Sequence, residues 1–357
     1  VGVSGTGPVE YSGRINTSDE YAMANYWYRY ARTLQALHPS LNFVRIGAHA
    51  AEGTGAIWTC YNADRAHYDR VLSCMAEGFE AAGFYFVVTL SGFADMVAEP
   101  ANRPLLKSQT LPQQYVGRFP RYGGDPYNNI LHIDSESFDN LCELAAYTGD
   151  HLAGYSHFVG IEFCNEPDLH FYDSAYWRPV HGDNNNMNGS KHNAFKAWSA
   201  RLASKTKELR HHEWLMLNGE TFANVNPDYK YATVWDYNSG DISRAAKFIA
   251  SLSEGMDIVQ THIYSFDCKY CDNGCQKCPC DCGWRKLSRA LVEQAQSGEN
   301  KRPAMSDEWG RWCGAWQVWD FVQAREMEQE GLHHACILPP GGRPVLGTQV
   351  SLDRGSR

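Results

Sequence analysis

Phe158-Val159-Gly160-Ile161-Glu162-Phe163-Cys164-Asn165-Glu166-Pro167-Asp168 sets an apolar run against an amide, a carboxylate and a proline. The run from Phe158 to Phe163 reads as a buried strand. Pro167 stops it, because proline has no backbone N–H to donate and fixes φ. Such a strand carries Glu166 to its C-terminal end and holds it beside Asn165. A second stretch of the same design, Arg302-Pro303-Ala304-Met305-Ser306-Asp307-Glu308-Trp309-Gly310, brings Glu308 to another strand end.

Working outward, the chain alternates strand and helix signals. Strands are expected at Val1–Gly5, Leu41–Ile46, Phe84–Leu90, Phe158–Phe163, Trp214–Asn218, Ile258–Tyr264, in the stretch ending at Glu308, and at His334–Leu338. The run Phe84–Leu90 is apolar throughout, as in a strand covered on both faces. Helices are expected from a Ser18-Asp19-Glu20 cap to Leu37, from an Asn62-Ala63-Asp64 cap to Ala82 with Gly83 as stop, and over Ser137–Leu152, Lys191–Arg210, Ile242–Leu252, Trp284–Gln296 and Trp316–Gln329. Strands alternating with helices imply a parallel sheet with helical crossovers. About eight strands favour a closed (β/α)8 TIM barrel over an open doubly wound sheet. The expected organisation is one catalytic domain over 1-338 and an unstructured tail over 339-357. Long loops at the C-terminal strand ends (91–137 and 168–190) and a Cys-rich insertion after strand 6 (267-283) complete it.

Bulk properties narrow the partners. With 43% hydrophobic and 20% charged residues, the 357-residue chain can bury a large core. A net charge of −9 argues against nucleic acid or an anionic membrane surface, both of which need clustered Lys and Arg. No apolar run approaches the roughly 20 residues that span a bilayer. The 11 Trp and 20 Tyr are generous for a core and suit stacking on sugar faces. Gly2, Gly5 and Gly7 do not fit a dinucleotide fingerprint, and no cofactor is expected.

Twelve cysteines is an unusual number, and six of them (Cys268, Cys271, Cys275, Cys278, Cys280 and Cys282) crowd one segment. The cluster suggests disulfides and an oxidising, extracellular setting; the start at Val1, without Met, reads either as a removed leader or as a trimmed sequence. Asn16-Thr17-Ser18 and Asn188-Gly189-Ser190 fit the glycosylation pattern. Zinc held by Cys268, Cys271, Cys275 and Cys278 is the alternative, but the gap between the pairs is short and no histidine is interspersed. The dispersed cysteines, Cys60, Cys74, Cys142, Cys164, Cys313 and Cys336, read largely as small core residues.

In a (β/α)8 barrel the active site lies at the C-terminal strand ends. Two carboxylates converging there, Glu166 and Glu308, suit glycoside hydrolysis, in which one protonates the leaving oxygen and the other attacks or activates water. Asn165-Glu166-Pro167, His262-Ile263-Tyr264, Asp307-Glu308-Trp309 and Arg45 at the second strand's end together resemble the large clan of retaining glycoside hydrolases on (β/α)8 barrels. Within it, Tyr68–Gly92 and Asn165–Leu169 with Phe171-Tyr172 look most like the β-xylosidase and α-iduronidase family. The cellulase and mannanase family is a close second.

The resemblance implies roles. Glu308 is expected as nucleophile and Glu166 as acid/base, its proton retained at neutral pH by the charge of Glu308 and by partial burial. Asn165 would bond the sugar 2-hydroxyl, Tyr264 and Arg45 would orient Glu308, and His262 would line the pocket. The clan's strand-eight tryptophan has no counterpart in His334–Leu338, for which Trp309, Trp312 and Trp316 are the nearby substitutes. The expected activity is retaining cleavage of β-linked oligo- or polysaccharides. The alternative is a barrel that binds carbohydrate without turnover.

Overall fold

The alternating signals resolve into eight parallel strands with helices between them in a computed structural model. It describes residues 2–6, 19–37, 39, 41–47, 61, 65–91, 130, 133–165, 167, 190–219, 242–264, 283–297, 301–310 and 336–337. The strands are β1 (Gly2–Thr6), β2 (Phe43–Gly47), β3 (Tyr85–Ser91), β4 (Phe158–Cys164), β5 (Leu215–Leu217), β6 (Val259–Tyr264), β7 (Ala304–Gly310) and β8 (Cys336–Ile337). The helices are α1 (Glu20–Leu37), α2 (Arg65–Ala82), α3 (Glu136–Leu152), α4 (Ser190–Leu209), α5 (Ile242–Leu252) and α6 (Gly283–Ala295). The expected long loops, the cysteine cluster, the helix over 316–329 and the tail over 339–357 lie outside the described residues.

Local chemistry sets the helix ends. Asp19 caps α1, its Oδ1 accepting from the N–H of Ala22 at 3.0 Å. Helix α3 begins one residue before the expected Ser137 because Ser135, in extended conformation, accepts from the N–H of Phe138 at 3.0 Å. Gly83, at φ +74°, ends α2 in the left-handed conformation that glycine adopts without a Cβ penalty.

The strand order is β5-β4-β3-β2-β1-β8-β7-β6, with every pair parallel. The two faces of this sheet bury different residues, as period-two alternation requires. Val44, Ile46, Phe86, Val88, Ile161, Phe163, Met216 and Val259 pack with helix residues such as Trp27, Phe79, Leu141 and Trp198 in the main core. Phe43, Val87, Leu217, Ile258 and Met305 form a second cluster supplied by strand residues and Ile258 just before β6. Burying each such large side chain contributes about 1.5–3 kcal/mol.

That second cluster gathers residues from β2, β3, β5 and β7 and Ile258 just before β6, so the sheet curls to bring distant strands together. Its two ends in the strand order also meet. The Asp257 N–H donates to the Met216 carbonyl at 3.1 Å, and the Met216 N–H donates to Asp257 Oδ2 at 3.0 Å. The face away from the helices therefore has a concave, apolar floor.

Helix α2 and Tyr61 just before it are joined to α3 by polar bonds as well as packing. Tyr61 O–H donates to Glu143 Oε1 at 2.8 Å, Tyr147 O–H to Asp69 at 2.8 Å, and Tyr68 meets Thr148 Oγ1 at 2.6 Å. The Arg65 guanidinium sits 3.4 Å from the centre of the Tyr61 ring. Burial, reinforced by the Glu143 bond, raises the Tyr61 hydroxyl well above its ordinary range, so it remains a donor. Burial likewise pushes the thiols of Cys74 and Cys142 up to about 11 and about 12. Both are unbridged and act as small core residues.

Candidate functional site

Two residues above the apolar floor, the same face becomes polar. Strand β2 is buried along its length, and alternation places Arg45 beside Phe43 and toward the strand's C-terminal end. Arg45 is 5% exposed. A buried guanidinium needs a partner, and it finds one across the sheet in Glu162 of β4, which has no exposed surface. Arg45 Nε donates to Glu162 Oε2 at 2.7 Å, and Nη2 donates to Oε1. This is the two-pronged geometry that suits Arg and carboxylate.

The pair has further support on both sides. Gln260 of β6, fully buried, donates from Nε2 to Glu162 Oε2 at 3.0 Å. Its Oε1 accepts from the N–H of Gly219 at 2.8 Å, tying β6 to the end of β5. Gly219 stands at φ +86°, and a Cβ there would lie 1.6 Å from the Cys164 carbonyl oxygen and 3.1 Å from Glu162 Oε1. Only glycine lets this backbone approach the pair.

On the other side, Arg45 Nη2 donates to Oδ1 of Asn165, just past β4, at 2.7 Å. Arginine carries donors only, so the amide atom facing it is the oxygen and Nδ2 is the atom left to donate. Of the residues expected at the site, Arg45 and Asn165 are thus in direct contact. Glu166 follows Asn165 in the chain and lies outside the described residues, as do Cys268, Cys271, Cys275 and Cys278.

Strands β6 and β7 contribute through their register. Gln260 pairs with Met305 and Thr261 with Ser306; the register then shifts, and His262 pairs with Glu308. Asp307 is the extra residue of a bulge. The bulge thus sets Glu308, and not Asp307, level with His262 in the register. Tyr264, two residues on, pairs with Gly310. Trp309 pairs with Ile263 and Ile337, at the alternate position of the strand.

Glu162 and Gln260 were not among the residues expected at the site, because Glu162 read as part of the apolar run Phe158–Phe163. The signal was present. A charged residue inside a strand covered on both faces is almost never buried unless paired, and Arg45 is a charge in a similar setting. Among the described residues, no group of three or more His, Cys, Asp or Glu could hold a metal ion, and no helix is long and apolar enough to cross a membrane.

No family model and no curated protein sequence matches the chain. Solved structures do. The chain resembles the hyperthermostable endo-1,4-β-D-mannanase from Thermotoga petrophila RKU-1 at 14% identity and TM-score 0.53, over 95% of this chain and 87% of that one. It resembles the endo-1,4-β-mannanase from Rhizomucor miehei at 15% identity and TM-score 0.51, over 94% and 85%. A GH5_18 protein from Streptomyces cattleya, solved in complex with GlcNAc, matches at 14% identity and TM-score 0.54, over 94% and 69%. At these identities the likeness is one of fold.

Proposed function

We propose that this chain is a retaining glycoside hydrolase that cleaves β-linked oligo- or polysaccharides on a closed (β/α)8 barrel. The observation that carries the proposal is the register shift that pairs Glu308 with His262, in the same sheet where Arg45 holds Asn165, the residue before Glu166. The bonds from Asp257, just before β6, to Met216 of β5 and from Gly219, just past β5, to Gln260 of β6 support closure of the sheet. The names of the structurally similar mannanases favour the cellulase and mannanase family over the β-xylosidase and α-iduronidase family.

In this reading Glu308 attacks the anomeric carbon and forms a glycosyl ester, while Glu166 protonates the departing oxygen. Esterification removes the charge of Glu308, so Glu166 can then act as base and activate water. Asn165 donates to the 2-hydroxyl, an interaction that strengthens in the transition state. Tyr264 and His262 flank the nucleophile. A secreted setting and a disulfide-braced segment at 268–282 belong to the same proposal and rest on the cysteine density.

Azide tests the assignment of Glu308. In the Glu308→Ala variant the vacated space admits azide, which attacks from the nucleophile's side. An activated aryl β-glycoside should therefore yield an α-glycosyl azide. Formation of that α-product by Glu166→Ala instead would reverse the roles.

A further inference from the structure

We infer that Glu162 is a positioning residue that makes Asn165 a fixed hydrogen-bond donor to the sugar, acting through Arg45. The inference rests on the glycosidase reading above and goes beyond it, since neither carboxylate of the two-step mechanism is Glu162. The chain of contacts is short. Glu162 takes Arg45 by two nitrogens, and Arg45 Nη2 takes Asn165 Oδ1 at 2.7 Å.

Each link fixes one degree of freedom. A lone guanidinium beside an amide could swing about its χ angles and let the amide turn over. Two parallel bonds to one carboxylate define both the plane and the rotation of the guanidinium. The carboxylate is itself fixed, accepting from Gln260 Nε2 at 3.0 Å, and Gln260 is fixed in turn by the Gly219 N–H. Glu162 and Gln260 are fully buried and Arg45 nearly so, and fixed electrostatic contacts act more strongly away from water.

The consequence is chemical. With Oδ1 held by a donor-only group, Asn165 presents Nδ2–H to the substrate. It therefore favours a sugar whose 2-position offers an acceptor oxygen. A bond of this kind is worth most where charge develops at the neighbouring anomeric carbon, so its loss should appear mainly in kcat.

The test compares Glu162→Gln and wild type on dinitrophenyl β-D-glucoside, dinitrophenyl β-D-mannoside and the 2-deoxy glycoside that these two sugars share. On the better of the two 2-hydroxy substrates, the variant should lose about 10- to 100-fold in kcat/KM, chiefly in kcat. On the 2-deoxy substrate it should lose less than about threefold. Asn165→Ala should show the same pattern, and the double variant should lose no more than either single one. Should Glu162→Gln fail to melt cooperatively, Glu162→Asp, which keeps the charge but shortens the reach, carries the same comparison with a smaller loss. Equal losses on 2-hydroxy and 2-deoxy substrates, or none, overturn the inference while leaving the glycosidase reading intact. A wild type that turns over none of the three overturns both.

Discussion

Glu308→Ala should abolish turnover of dinitrophenyl β-glycosides, lowering kcat by about 10⁴-fold or more, because the proposed mechanism forms the covalent intermediate on the Glu308 carboxylate. Glu166→Ala should behave differently on the same substrates. A dinitrophenolate leaves without a proton, so the first step should hardly change and the intermediate should accumulate, giving a burst of released phenol. With a phenyl or saccharide leaving group, which does need the proton, the same variant should lose about 10²–10⁴-fold. Steady-state and burst kinetics on leaving groups of graded acidity check both expectations. Equal losses across leaving groups would show that Glu166 is not the acid.

The second large effect concerns stability. Arg45→Met leaves Glu162 buried without its guanidinium partner, and breaking a buried pair by removing one side costs about 3–5 kcal/mol. Arg45→Met with Glu162→Leu removes both charges and should recover much of that loss, since apolar residues of similar volume often replace a buried pair at little cost. Urea unfolding of the two variants and wild type measures the difference. A single variant as stable as wild type would mean that the pair is not buried in the folded protein. The catalytic consequence should run the other way: the double variant should refold well and still fail to hold Asn165. Stability and positioning are thus separable functions of one contact.

Much of the fold was legible because it depends on local pattern. The apolar run before Asn165, the stop at Gly83 and the alternation of strand and helix each follow from neighbouring residues, and the corresponding elements fall within a few residues of expectation. Contacts set by distant residues were not legible. Glu162 is explained by Arg45, 117 positions earlier, and Gln260 by Gly219, 41 positions earlier. The shift between Thr261 and His262 is likewise a property of two strands together. Read singly, β7 by simple alternation would have offered Asp307. The resemblance in the sequence selected Glu308, and the bulge sets its backbone level with His262.

The central claim, double displacement at Glu308 with Glu166 as acid/base, is tested most directly by the configuration of the first product. Proton NMR of the reaction with an aryl β-glycoside, followed before mutarotation, should show the β-anomer of the released sugar appearing first. The α-anomer appearing first would mean single displacement and would contradict the account.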